Sequence, residues 1–244
     1  SQIEKNAAFV VQGGTILNHR LTVFDKNHPQ LQNPLVRRAM THAIDRQAIV
    51  DSLWAGRTVV PKGLQWPYYG AMFHADWAVP AFDLKVAREL VKQSGYKGDP
   101  IPYRLLNNYY TNQTATAQVL VEMWKEAGLN VEIQVKENWQ QILERTPTRA
   151  VRDWSNSAPF NEPVSSMVSQ HGPKGQQQQA GEWTNAELNQ LSVELETSTD
   201  RARRKAAFRR MLEIAEREDP AYTVLHQNAT FTATLSAAVA HAVS

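Results

Sequence analysis

The chain has 244 residues, 42% of them hydrophobic, enough to bury a full core as one large domain or two small ones. Its 26 basic and 24 acidic residues leave a net charge of +2 with the signs interspersed, which excludes the basic excess that a nucleic-acid binder sets against phosphates. It contains no cysteine, which excludes disulfides, cysteine zinc sites and thiol nucleophiles, and no apolar run reaches the length of a bilayer span.

From the N-terminus, Ser1-Gln2-Ile3-Glu4-Lys5 lacks the basic-then-apolar pattern of a leader, so an exported parent would carry its leader outside this sequence. Ala8-Phe9-Val10-Val11 predicts a strand ended by Gly13-Gly14, and Leu21-Thr22-Val23-Phe24 predicts a second. Asn33 offers an N-cap with Pro34 at the first helical position, where a missing N–H is harmless. Apolar Leu35, Ala39, Ala43, Ile44 and Ile49 follow near helical period, predicting one helix that Gly56 stops. Residues 57–82, broken by Pro61, Gly63, Pro67, Gly70 and Pro80, predict irregular backbone. Their interleaved Trp66, Tyr68, Tyr69, Phe73, Trp77 and Phe82 fit either anchors that pin a surface loop or a ligand-facing wall.

Asp83 caps a short helix through Ser94, stopped by Gly95. A strand–helix–strand unit comes next: Tyr103 to Leu106, a helix from about Gln113 to Ala127, and Val131 to Val135 in strict alternation. Such a unit implies parallel strands and a right-handed crossover. A short helix is predicted from Trp139 to Arg145. Residues 153–182 hold Pro159, Pro163, Gly172, Pro173, Gly175 and the run Gln176 to Gln179; they show no period and predict a long connection. Two helices follow, from about Asn185 to Glu196 and from Asp200 to Asp219-Pro220, then a closing strand at Tyr222 to Leu225 and a tail over 237–244. The pattern is α/β: a mixed sheet flanked by helices around a hydrophobic core.

Motifs for chemistry are missing. The sequence has no zinc-protease histidine pair, no nucleophile elbow and no phosphate-cradling glycine loop. His74 and Asp76 lie two apart in proline-flanked loop, a spacing that puts two ligands on one face only in a strand. His42 falls within a helix. The arginine-rich first half of the helix after Asp200 (Arg201, Arg203, Arg204, Lys205, Arg209, Arg210) fits a solvated face or an electrostatic docking patch.

The order of segments resembles one family. Asn33-Pro34-Leu35-Val36-Arg37-Arg38-Ala39, Ala43-Ile44-Asp45-Arg46 and Ile49-Val50, followed by Gly56, resemble the most recognisable stretch of family 5 substrate-binding proteins, which serve peptide, nickel and opine transporters. Asp83 with Ala87-Arg88-Glu89-Leu90-Val91 and Gly95-Tyr96 matches too, as do Glu126-Ala127-Gly128-Leu129-Asn130-Val131-Glu132, Trp183-Thr184-Asn185 and the helix after Thr199-Asp200. The likeness runs from about Val11 to Leu225. It implies one lobe of a type II periplasmic-binding-protein fold, with residues 1–236 as the C-terminal lobe and the N-terminal lobe missing from this sequence. It implies a periplasmic or membrane-associated extracytoplasmic monomer that serves a cognate ABC permease, capturing a peptide-like, opine-like or sugar-like ligand by lobe closure. No catalysis, cofactor, metal or nucleic acid is implied. The alternatives are an interaction or chaperone protein reusing the fold, and nickel-chelate binding.

In peptide-binding relatives, a tryptophan followed three residues later by an aspartate sits at the lobe interface, and the aspartate pairs with the peptide's amino group. The matching stretch here runs from Trp154 to Pro163, with Trp154 and Asn161-Glu162-Pro163 in place. The aspartate position reads Ser157, or Pro159 when aligned from the proline, so the amine anchor is missing. Trp154 offers a flat face, and Ser155, Asn156 and Ser157 offer neutral donors and acceptors. His171 falls about where nickel-binding relatives present a ligand. Asn107, Asn108, Tyr109 and Tyr110 end the first strand of the strand–helix–strand unit, where open α/β sheets bind ligands. Arg149 and Arg152 fit either an anionic group or the surface.

Overall fold

A computed structural model describes residues 3–236, so the predicted tail over 237–244 lies outside the described residues. Five strands form one mixed sheet, in the order β3-β2-β4-β1-β5. They are β1 (Phe9–Phe24), β2 (Ile101–Leu106), β3 (Val131–Lys136), β4 (Val151–Asn156) and β5 (Tyr222–Leu235). β2 runs parallel to β3 and β4, and β1 runs antiparallel to β4 and β5. The parallel β2–β3 pair flanks helix α4 (Gln113–Glu126), as the strand–helix–strand pattern requires.

Three predictions change. Gly13-Gly14 does not end a strand: β1 is continuous over 16 residues, with Gly13 opposite Phe231 and Gly14 opposite Thr230. A Cβ at Gly13 would lie 2.1 Å from the Thr230 carbonyl oxygen, so glycine permits the close approach of the two backbones. The helix predicted after Asn33 is two helices, α1 (Pro34–His42) and α2 (Arg46–Trp54). Asp45 is extended and its carboxylate accepts the Ala48 N–H, starting α2 afresh. The break turns the buried Arg46 onto β5, where it donates to the Val224 carbonyl (2.6 Å) and the Thr223 hydroxyl (2.7 Å). The connection predicted over 153–182 begins inside β4, the central strand, and then holds only short helices, including α6 (Met167–His171) and α7 (Gln176–Gln179).

An apolar cluster packs on each face of the sheet. One joins Phe24, Tyr103, Leu105 and Val151 to α1, α4 and α3 (Leu84–Ser94). The other joins Leu21, Val23 and Val224 to α8 (Ala186–Thr197), α9 (Arg201–Glu213) and the 57–82 loop. In that loop Trp66, Tyr69, Met72 and Trp77 are buried as anchors, Tyr68 and Phe73 are half-buried, and Phe82 is exposed. Trp77 Nε1 donates to the buried Glu216 carboxylate (3.0 Å), and the Tyr69 hydroxyl pairs with Ser166 Oγ (2.6 Å). Beyond the sheet, residues 9–15 of β1 and 229–235 of β5 continue as a mostly exposed two-stranded ribbon.

Candidate functional site

β2 and β4 are parallel, so their carboxyl ends reach the same rim of the sheet. Past β2, the loop at 107–112 turns through positive φ at Asn108 and Asn112 and brings out Tyr109 and Tyr110. Past β3, Asn138 caps the short helix α5 (Trp139–Leu143) by accepting the Gln141 N–H, which sets Trp139 edge-on to Tyr109 with ring centroids 5.2 Å apart. β4 supplies Trp154 and Ser155.

Ser155 is shared by three open hollows. One, of about 290 Å³, is walled by Tyr109, Tyr110, Trp139, Arg152, Trp154 and Gln176. An outer hollow of about 460 Å³ runs past Ser157, Phe160 and Gln170 to Lys174 and Glu196. The third, about 310 Å³, lies toward the ribbon, between Tyr109, Tyr110, Asn18 and Asn228.

Beneath the rim the charges are matched internally. Arg152 donates twice to Glu182 (2.7 and 2.8 Å) while its guanidinium lies 4.3 Å from the centre of the Trp154 ring. Arg20 pairs with Asp153, donates to the Trp154 carbonyl (3.2 Å), and lies 4.0 Å from the centre of the Tyr110 ring. Asp153 also accepts from the Tyr103 hydroxyl and from Gln113 Nε2 (2.9 Å). Burial raises the pKa of Tyr110, which keeps the phenol protonated and donating to Ser155 Oγ (3.2 Å). Arg149 is taken by Asp25 (2.6 Å), so neither Arg149 nor Arg152 is a free surface cation.

Of the residues singled out by sequence, Trp154, Ser155, Ser157, Tyr109 and Tyr110 line these hollows. Asn156 does not: it is buried, with Nδ2 donating to Gln170 Oε1 and the Ser166 carbonyl. The Asn108 side chain accepts from Thr114 N–H and hydroxyl and builds the loop instead. His171 is 0% exposed, with Nδ1 on Gln177 Oε1 (2.7 Å), and burial holds its pKa down at about 3. It sits behind Trp154, edge to face at 6.3 Å, and presents no nitrogen to the rim. Sequence reading missed Trp139, Gln176 and Asn18. Trp139 carried one signal, an aromatic just inside an asparagine cap; the other two are joined to the rim only by the fold.

His74 Nε2 donates to the Lys205 carbonyl (3.1 Å), and Asp76 pairs with Arg209, so these two do not face a common ion. Among the described residues, no group of three histidine or acidic side chains is placed to hold a metal. The α9 arginines are largely neutralised: Arg203 by Glu194, Arg204 by Glu162, Arg209 by Asp76 and Arg210 by Glu187 and Glu218. That favours the solvated-face reading over a docking patch. Among the described residues no helix is long and apolar enough to cross a membrane.

An aromatic, hydroxyl-lined rim at the strand ends of a helix-flanked sheet has the composition of a small-molecule contact surface, and the class the fold defines is an α/β lobe of the solute-binding-protein type. Comparison with known proteins makes the class specific. Residues 1–176 match the family described as bacterial extracellular solute-binding proteins, family 5 Middle, and the chain belongs to that family. It is 24% identical over 220 residues to the probable deoxycholate-binding periplasmic protein YgiS of Escherichia coli, covering 86% of this chain and 40% of that one. It is 25% identical over 197 residues to the oligopeptide-binding protein OppA of Bacillus subtilis, covering 74% and 35%. The fold superposes on the periplasmic binding protein DppA of Helicobacter pylori, in complex with peptide STSA, with a TM-score of 0.81 at 22% identity, covering 96% of this chain and 46% of that one. The chain thus spans less than half the length of each of these three relatives.

Proposed function

We propose that this chain is the C-terminal lobe, over residues 1–236, of an extracytoplasmic solute-binding protein of an ABC importer. It captures a peptide-like, opine-like or sugar-like ligand, without catalysis, when a second lobe closes over the rim around Ser155. The observation that carries this reading is the convergence of three open hollows on Ser155 at the carboxyl ends of β2 and β4. Each is partly open to solvent, which suits a surface completed by another body. Tyr109, Tyr110, Trp139, Trp154, Ser155 and Ser157 are the contact residues on this side. A cognate permease is the partner that receives the loaded protein.

Isothermal titration with a dipeptide, opine and oligosaccharide panel tests the reading. The 244-residue chain is expected to bind weakly, because half of the enclosing surface is supplied from elsewhere. The same panel on the chain joined to its second lobe is expected to yield a tight ligand whose affinity falls with Trp154→Ala. Submicromolar binding by this chain alone, unaffected by Trp154→Ala, would contradict closure over the rim.

A further inference from the structure

We propose that the ligand presents an uncharged ring face to this lobe, and that the lobe recognises no ammonium group; the proposal rests on the rim being the ligand site. Two aromatic plates border Ser155, and each is backed by an arginine whose charge is already matched. Trp154 lies against Arg152, which Glu182 holds by two hydrogen bonds. Tyr110 lies against Arg20, which Asp153 holds.

A cation seeking this rim has two attractions available, and both are taken. The first is a carboxylate. Asp153 and Glu182 are each 1% exposed, and Asp153 is further occupied by Tyr103 and Gln113. The exposed Glu196 lines only the outer hollow, which it shares with Lys174, and reaches neither aromatic plate. The second is the negative face of an aromatic ring, which here already holds a guanidinium on Trp154 and another on Tyr110, so a second cation gains less. An ammonium desolvated against these plates would be left without a counter-charge, which is costly.

What the rim does offer is flat apolar area edged by neutral polar groups: Ser155, Ser157 and Gln176. These suit hydroxyl, carbonyl or amide substituents around an aromatic or alicyclic ring. The arginines act from behind as positioning residues. They fix the plates without offering their charge to a solute.

Two isosteric probes isolate the claim: tryptophol, neutral, and tryptamine, its cationic counterpart. Each is titrated into the ¹⁵N-labelled 244-residue chain at neutral pH, reading the indole N–H resonances of Trp139 and Trp154, assigned with Trp139→Phe and Trp154→Phe. Tryptophol is expected to shift both resonances with a dissociation constant at least about tenfold lower than that of tryptamine, the penalty for an unpaired ammonium. Tryptamine binding equally or more tightly overturns the proposal and leaves the rim as the ligand site. Neither probe moving either resonance overturns both. Installing a carboxylate with Ser155→Asp, or with Gln176→Glu should the first variant lose its native amide spectrum, is expected to reverse the preference. An unreversed preference shows that missing counter-charge was not its cause and overturns the proposal.

Discussion

The 57–82 loop and the rim have nearly the same aromatic character and opposite fates. Trp66, Tyr69 and Trp77 are buried under the sheet, whereas Tyr109 is 60% exposed and Tyr110, Trp139 and Trp154 are half-buried around a hollow. The difference lies in what covers the rest of each ring. Trp77 and Tyr69 hand their polar atoms to buried partners, Glu216 and Ser166, and become core. Trp154 and Tyr110 have an arginine against one side and an open hollow on the other; the arginine alone does not keep a ring at the edge, since the buried Trp77 lies 3.8 Å from Arg217. Aromatic density alone therefore does not mark a binding wall: Trp66 is buried by stacking on His19 at 3.7 Å, with no hydrogen bond from its Nε1 among the described residues, whereas the rim rings stay open to the hollow beside them.

The comparison breaks most visibly by removing an anchor. Trp77→Ala is expected to cost about 3–5 kcal/mol, from the cavity and the lost donor to Glu216, read as a fall in the urea midpoint. Close behind, Asp153→Ala leaves Arg20 buried without its partner and is expected to cost about 3 kcal/mol while freeing the Tyr110 plate. Retention of wild-type stability there would show the plate's support to be unnecessary.

Acid sharpens the contrast at the seam between the regions. The His171 pKa is lowered from 6.5 to about 3, first by burial and then by Arg152, against the opposing Gln177 hydrogen bond. The unfolded chain therefore takes up the proton first: the contribution is complete above pH 6.5 and is lost as pH falls toward 3. By pH 5 the loss amounts to about 2 kcal/mol. The stability gap between wild type and His171→Leu is expected to shrink by that amount between pH 7 and 5, and a pH-independent gap would refute the assignment. The smallest effect belongs to the rim. Trp139→Ala is expected to change stability by less than about 0.5 kcal/mol while weakening ring-bearing ligands at least several-fold. A large loss of stability would place Trp139 with the anchors.

Most of the frame was legible from pattern: the strand–helix–strand unit and the capped helices after Asp83 and Asn185 stand where punctuation placed them, and the closing strand starts at Tyr222 as expected but runs on to Leu235 instead of ending at Leu225. β4 was not, because Val151-Arg152-Asp153-Trp154-Ser155-Asn156 alternates poorly and carries two charges. It is central because partners distant in sequence neutralise it: Glu182 for Arg152, Arg20 for Asp153. The split between α1 and α2 was missed because Ala43 and Ile44 continue the apolar stripe, while Asp45 acts through its cap. In the site, exposed Tyr109 followed from its position past a strand end, and half-buried Trp154 from the resemblance to peptide-binding relatives. The burial of Asn156 and His171 did not, since it depends on Gln170 and Gln177, each held there by a short helix with no sequence period.

The projecting ribbon has a practical consequence for anyone handling the protein. From Phe9 to Asn18, and again from Asn228 to Leu235, the sequence holds neither a charge nor a proline. Apart from Arg57, stacked 4.1 Å over Phe231, the usual gatekeepers against edge-to-edge strand addition are missing along this arm. Concentrated samples are thus most prone to self-association there, and a lysine at exposed Leu17 is a conservative place to suppress it.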